Sequence, residues 1–227
     1  MIRAVVTGLL CGWCAASAPS LHVNPAASSI SLRGPTTVSL AIQNDAGEPT
    51  ASSIRLEWLD PKDTIRGSAV ENVRIAPGKS TIVLACPFPM HAGPQALWYR
   101  LRYRIHTEAG EAGGMLTVAH ASRDAFELRV ASPPAAVPGE KYRITAVAVT
   151  VVEQRPLEGV RITGRVGSLS ASAVTDTNGA ATLEIAVPCG VLGSWNAQIE
   201  GRLGDFNQSV STTATIEWRC GDSDRHR

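Results

Sequence analysis

The sequence predicts an all-β protein: two tandem antiparallel β-sandwiches that follow a signal peptide. Apolar and polar residues alternate in short runs, as the side chains of half-buried strands do. Glycine, proline, asparagine or aspartate interrupts nearly every gap between these runs, as expected for turns. Beyond the N-terminal segment, almost no stretch has the spacing of an amphipathic helix.

Composition limits the classes of protein to which the chain can belong. With 44% hydrophobic residues among 227, it has enough apolar side chains for packed cores and too many for a disordered chain. Its 21 Lys and Arg residues nearly balance its 20 Asp and Glu residues, so no nucleic-acid partner is predicted. Because no apolar run approaches the roughly 20 residues of a membrane-spanning helix, no membrane span is predicted either.

The first 18 residues have the features of a signal peptide. A positive start at residues 1–3 precedes an uncharged stretch, and Ala16-Ser17-Ala18 supplies the small residues that a signal peptidase accepts. Cleavage after Ala16 fits as well as cleavage after Ala18, and a buried N-terminal helix or strand is the alternative. Export predicts a secreted, periplasmic or cell-surface protein. The use of eighteen Arg against three Lys is typical of a GC-rich, often bacterial genome.

The clearest alternation runs from Leu97 to Ile105 and predicts a half-buried strand. One of its faces is apolar or aromatic, and the other carries Trp98, Arg100, Arg102 and Arg104. We call Arg100, Arg102 and Arg104 the arginine row; its neighbours lie about 6–7 Å apart along the strand.

The arginine row, with Trp98 before it, is the candidate partner-binding surface. Guanidinium groups at this spacing favour an acidic protein surface or an anionic polysaccharide, through charge-assisted hydrogen bonds. The alternative is a solvated outer face whose arginines pair with acids on adjacent strands, such as Glu57 or Glu71.

The strands number about a dozen to fourteen, which suits two sandwiches of about 100 residues each. The predicted domains are residues 20–121 and residues 124–220, divided by a polar link near residues 119–124. The charged residues 221–227 predict a disordered tail.

Three turn signatures mark the second half. In the first, Pro138 and Gly139 fit the central positions of a type II turn. In the second, Pro156 and Gly159 form a hairpin link. In the third, Asn178-Gly179 indicates a hairpin, and the side chain of Asp176 is able to bond its own backbone.

The order of these turns resembles the macroglobulin-type domain of the α2-macroglobulin and complement family, in particular its second domain, MG2, over about residues 124–218. Bacterial Ig-like and carboxypeptidase-regulatory-like modules have a similar turn pattern. The resemblance implies an Ig-like sandwich that serves as scaffold in an endopeptidase inhibitor. The family's thioester run, Gly-Cys-Gly-Glu-Gln, is not matched, because Val191 and Leu192 follow Cys189-Gly190.

No catalytic, metal-binding or cofactor-binding residues are predicted. The sequence lacks a G-x-S-x-G motif, a P-loop and a dinucleotide fingerprint, and its histidines have no metal-ligand spacing. The sequence therefore predicts no enzyme; a hydrolase with Ser or Asp on loops is the disfavoured alternative.

Cysteine and tryptophan placement gives three structural predictions. Cys189 and Cys220 flank the last two predicted strands and are predicted to form a disulfide. Cys86 ends an apolar run and is predicted to be a buried thiol, with intermolecular pairing as the alternative. Three tryptophans are predicted to fill sandwich cores: Trp58, Trp195 and Trp218.

These observations predict a non-enzymatic, exported protein that acts through protein–protein association, similar to the N-terminal scaffold of a macroglobulin-type endopeptidase inhibitor. Its expected partner is a peptidase or a cell-surface component, and no cofactor is expected. The alternative is a cell-surface adhesion or carbohydrate-binding Ig-like module.

Overall fold

The computed structural model describes residues 21–89, 94–190 and 192–216. The predicted signal peptide (residues 1–18), Cys220, Trp218 and the predicted tail (221–227) lie outside the described residues. Within them the chain is mostly β-strand, with one short α-helix, α1 (Val118–Ala121), and one 3₁₀ helix (Pro94–Trp98). The prediction of an all-β protein is confirmed.

Fourteen strands occur in the described part of the chain. Seven precede α1: β1 (Leu21–Ser31), β2 (Thr37–Asn44), β3 (Thr50–Leu59), β4 (Ile65–Ile75), β5 (Gly78–Ala85), β6 (Arg100–Thr107) and β7 (Gly110–Thr117). Seven follow it: β8 (Phe126–Ala131), β9 (Lys141–Thr150), β10 (Arg161–Val166), β11 (Leu169–Val174), β12 (Ala180–Ala186), β13 (Gly193–Leu203) and β14 (Phe206–Ile216).

The strands form four antiparallel sheets with a repeated order. The first seven strands give the sheets β1-β2-β5 and β4-β3-β6-β7, and the last seven give β8-β9-β12 and β11-β10-β13-β14. Counted from the start of each half, both halves therefore have the order 1-2-5 in one sheet and 4-3-6-7 in the other.

Aliphatic side chains from both sheets of each half fill the interior. Leu40 and Leu56 in the first half, and Ile144 and Ile199 in the second, are fully buried in the hydrophobic core. Because alternate residues of a strand point to opposite faces, the intervening polar residues lie outside.

The predicted strand from Leu97 to Ile105 is wrong at its start. Residues 94–98 form the 3₁₀ helix, the Tyr99 N–H donates to the Ala96 carbonyl at 3.3 Å, and β6 begins at Arg100. Pro94, with its fixed φ and missing N–H, suits the first residue of a helical turn. Sequence alternation missed this turn because burial keeps alternating through it: Leu97 and Tyr99 are buried and Trp98 is exposed.

Two carboxylates connect the halves through the loop between β1 and β2. Asp124 accepts hydrogen bonds from the Leu32 N–H at 3.2 Å and from Arg33 Nε at 2.8 Å. Asp205, in the turn between β13 and β14, bonds to Thr36 of the same loop. The segment 119–124, predicted to be a polar link, begins inside α1, and its Ala119 is buried.

Candidate partner-binding surface

The arginine row lies on the outer face of the sheet β4-β3-β6-β7. The core-facing residues of β6, such as Leu101, alternate with the arginines, which therefore point away from the core. Strand register shows which residues of the neighbouring strands lie beside each arginine. From one strand to the next across the sheet, the neighbours are Val70–Arg55–Arg104–Gly113, Ser68–Glu57–Arg102–Met115, and Leu59–Arg100–Thr117.

Arg102 is held by Glu57, its neighbour on β3. Both Arg102 Nε and Nη2 lie 2.7 Å from Glu57 Oε2, and the Glu57 side chain is only 8% exposed. The predicted alternative of arginines paired with acids therefore applies to Arg102. It does not extend to Glu71, which lies opposite the buried Ile54 and so on the other face of the sheet.

Arg100 forms an ion pair with Asp63, in the turn between β3 and β4. Asp60 shapes this turn: its carboxylate accepts the N–H groups of Lys62 at 2.8 Å and Thr64 at 2.9 Å. Arg66 Nε also donates to it, at 2.8 Å. The hydrogen bond from Thr64 above all, aided by Arg66, holds the pKa of Asp60 below its usual value despite burial.

Arg104 and Arg55 have weaker electrostatic partners. Arg104 Nε lies 4.0 Å from Glu111 Oε1, and Arg55 Nη1 lies 4.0 Å from Glu57 Oε1, both beyond hydrogen-bond distance. Their side chains are 48% and 57% exposed. Sequence reasoning missed Arg55 as a site residue, because only strand register shows that it faces Arg104.

Trp98 lies beside the arginine row rather than on its strand. The indole is 67% exposed. It lines an open groove of about 430 Å³ together with Arg100 and the residues Pro61, Leu97, Thr117, Ala119 and His120. His120 Nδ1 lies 2.9 Å from Thr117 Oγ1, which orients the imidazole at the groove.

The predicted turn residues of the second half lie in the turns that precede β9, β10 and β12, where they set the backbone geometry. Gly139, Gly159 and Gly179 have φ values of 81°, 84° and 70°. A Cβ on Gly179 would lie 2.5 Å from the Ala148 carbonyl oxygen. Asp176 Oδ1 accepts the N–H groups of Asn178 and Ala180 at 2.9 and 3.0 Å. Pro138 directly precedes Gly139, and Pro156 forms an isolated bridge with Val149.

Thr175 is a structural residue that sequence reasoning missed. Its buried hydroxyl donates to the Leu157 carbonyl at 2.7 Å and accepts the Val160 N–H at 2.9 Å. It thereby joins the turn after Pro156 to the strand that leads into Asp176. The sequence signal was a Thr directly before Asp176, but only the fold brings the hydrogen-bond partners of Thr175 within reach.

Cys86 is a buried free thiol, as predicted. Burial raises the pKa of its thiol to about 11. Trp58, fully buried, donates from Nε1 to the Cys86 carbonyl at 3.2 Å, and Trp195 is buried in the second half. Because Cys220 lies outside the described residues, its pairing with Cys189 stays a prediction.

Residues 21–89, 94–190 and 192–216 contain no group of three or more His, Cys, Asp or Glu side chains that could hold a metal ion. In the same residues, no helix is both long and apolar enough to span a membrane.

Comparison with known proteins identifies no family. No family model and no curated protein matches the sequence. Among solved structures, the chain matches red sea bream transglutaminase with 14% sequence identity and a TM-score of 0.34. The match covers 88% of this chain and 32% of the transglutaminase chain, so the protein spans about a third of that structure.

Proposed function

We propose that the protein is a non-enzymatic, exported scaffold of two Ig-like sandwiches that acts through protein–protein association. The repeated strand order, three strands facing four in each half, is the observation that carries the proposal. This 3+4 division with antiparallel pairing is typical of Ig-like sandwiches. The proposed domains are residues 20–121 and 124–220.

The turn geometry of the second half supports a resemblance to the MG2 domain of macroglobulin-type endopeptidase inhibitors. Gly139, Gly159 and Gly179, which belong to the three turns that carry the resemblance, all have positive φ and lie one or two residues before strands β9, β10 and β12. Glycine adopts a positive φ at little cost, so a domain with the same three turns is expected to have glycine at the same positions.

The junction between the halves supports a scaffold role. A scaffold presents surfaces in a fixed relation, and the bonds from Asp124 and Asp205 to residues 31–36 restrict the relative movement of the halves. Phe88 and Phe206, one from each half, pack with their ring centroids 5.8 Å apart. The outer face with the arginine row is left available to a partner.

Complex formation with endopeptidases tests the proposal. The purified protein is mixed with each member of an endopeptidase panel, and size-exclusion chromatography with light scattering measures the mass of the product. A stable complex with reduced cleavage of a protein substrate supports the proposal. If the protein itself hydrolyses an ester or peptide substrate, and controls show that no contaminating enzyme is responsible, the proposal that it is non-enzymatic is contradicted.

Carbohydrate binding is the second candidate, favoured by the exposed Trp98. An exposed indole beside an ion pair offers an apolar face and polar groups, the two features that a sugar ring contacts. A glycan array with wild-type protein and Trp98→Ala tests it, with Val83→Ala, which alters an exposed apolar residue elsewhere, as the control. Binding that only Trp98→Ala abolishes would favour this function over the scaffold.

A further inference from the structure

We propose that Arg55 and Arg104 together bind a carboxylate group from an acidic segment of a protein partner. The proposal rests on the proposed function, because it names the chemistry of the partner in that association. It also changes the sequence-based hypothesis: the binding groups are one member of the arginine row and one arginine from the adjacent strand.

Arg55 and Arg104 are direct neighbours across two strands. They are register partners in the antiparallel pair β3–β6, so their Cβ atoms are about 5 Å apart on the outer face. Like charges in such a position repel each other and destabilise the folded protein. An anion that binds between them removes this repulsion, which adds to the free energy of binding.

The other two arginines of the row are already neutralised. Glu57 holds Arg102 through hydrogen bonds, and Asp63 pairs with Arg100. Arg55 and Arg104, in contrast, have their nearest carboxylates at 4.0 Å. Within the described part of this face, Arg55 and Arg104 are therefore a pair of neighbouring arginines without a hydrogen-bonded acid.

The cross-strand neighbours on either side of Arg55 and Arg104 leave the two arginines accessible. Beyond Arg55 lies Val70, half exposed on the edge strand β4, and beyond Arg104 lies Gly113. A Cβ on Gly113 would lie 3.8 Å from Arg104 Cγ, in ordinary van der Waals contact, so the absence of a side chain at Gly113 leaves the space beside Arg104 open. A planar carboxylate can meet each guanidinium with paired N–H···O bonds in this opening.

The surroundings favour a protein segment over a polysaccharide. Val70 and Met115 are exposed on the same face and offer apolar contacts to a polypeptide. A polypeptide segment that supplies a carboxylate together with apolar contacts fits these surroundings.

Fluorescence anisotropy with a short, labelled poly-L-glutamate tests the site. The net charge of the protein is only +1, so attraction by overall charge is small. The double variant Arg55→Gln/Arg104→Gln is expected to bind about tenfold more weakly or worse. The control Arg123→Gln/Arg165→Gln removes the same charge from exposed positions outside this face and is expected to change affinity by less than about twofold.

Two further measurements distinguish the outcomes. Arg55→Gln is expected to unfold at the same or a higher urea concentration than wild type, because it removes repulsion; a lower midpoint would indicate a structural role instead. Heparin binding that the double variant loses while poly-L-glutamate binding persists would overturn the carboxylate assignment. Wild-type protein that binds endopeptidases but not poly-L-glutamate would overturn this site alone and leave the proposed function standing.

Discussion

Asp205 accepts two hydrogen bonds from Thr36, which precedes it by 169 residues: one from the Thr36 N–H at 2.9 Å and one from its hydroxyl at 3.0 Å. Thr36 is almost fully buried, and its carbonyl in turn accepts the Cys86 N–H at 3.2 Å. Thr36 thus joins the β13–β14 hairpin to the segment at Cys86 in the first half.

Asp205→Ala is therefore expected to lower the free energy of unfolding by about 1–3 kcal/mol, because the buried Thr36 N–H loses its partner. Urea denaturation monitored by tryptophan fluorescence measures the change. Asp45→Ala, at an exposed aspartate, serves as control and is expected to stay within about 0.5 kcal/mol of wild type. Equal stability of the two variants would refute the role assigned to Asp205.

Gly204→Ala is expected to destabilise the protein far more than Gly167→Ala. Both glycines have nearly the same positive φ, 58° and 57°, so the backbone strain of alanine, about 1–2 kcal/mol, is common to both. Only at Gly204 would the new Cβ meet another segment, 1.9 Å from the Leu32 carbonyl oxygen; at Gly167 no atom lies within 4 Å. The difference between the two urea midpoints measures the close approach of the halves, and equal midpoints would contradict it.

Arg102→Gln is expected to cost about 1–3 kcal/mol of stability, because it removes the charge-assisted hydrogen bonds to the largely buried Glu57 carboxylate. The exposed Arg165→Gln is the control, with an expected change within about 0.5 kcal/mol. Chemical denaturation of both variants at neutral pH tests this. If Arg102→Gln proves neutral, the pair with Glu57 contributes nothing to the stability of the sheet.

Cys86 gives a pH-dependent prediction. Burial raises the pKa of its thiol from 9.0 to about 11, so the folded state keeps the proton that the unfolded state loses. The contribution of the protonated thiol to the free energy of unfolding is complete below pH 9 and is lost as the pH rises through about 11. Cys86→Ala is expected to lose less stability than wild type over that range.

Urea unfolding at a series of pH values compares the two proteins, and the comparison cancels the titration of Tyr99 and Tyr103, whose pKa values burial also raises. Iodoacetamide labelling of native protein at pH 8, read by mass spectrometry of the Cys86 peptide, is expected to be slow. Rapid labelling, or identical pH profiles, would show that the thiol is accessible.

Local patterns predicted the all-β fold and much of its interior. Alternation in β3 and β6 correctly separated Trp58 and Tyr103, which are buried, from the arginines outside. It failed at Leu97, because a 3₁₀ helix and a strand end produce the same burial pattern there. The neutralisation of Arg102 by Glu57 was among the predicted alternatives because both residues stand on outward faces.

The facing arginines Arg55 and Arg104 required strand register, which sequence alternation leaves open in steps of two residues. The bond between Thr36 and Asp205 required the tertiary fold, since neither a turn nor a strand pattern relates residues so far apart. The missing information is in both cases which strands adjoin, and where along their length.

The contact between Gly204 and Leu32 has a consequence for protein engineering. Neither half can be exchanged independently for a domain of another protein. A foreign domain joined after residue 124 would lack the glycine that allows the hairpin to approach the Leu32 carbonyl, and it would lack the carboxylate that accepts the hydrogen bonds from Thr36. Chimeras of this protein would have to carry the hairpin and its receiving loop as a matched set.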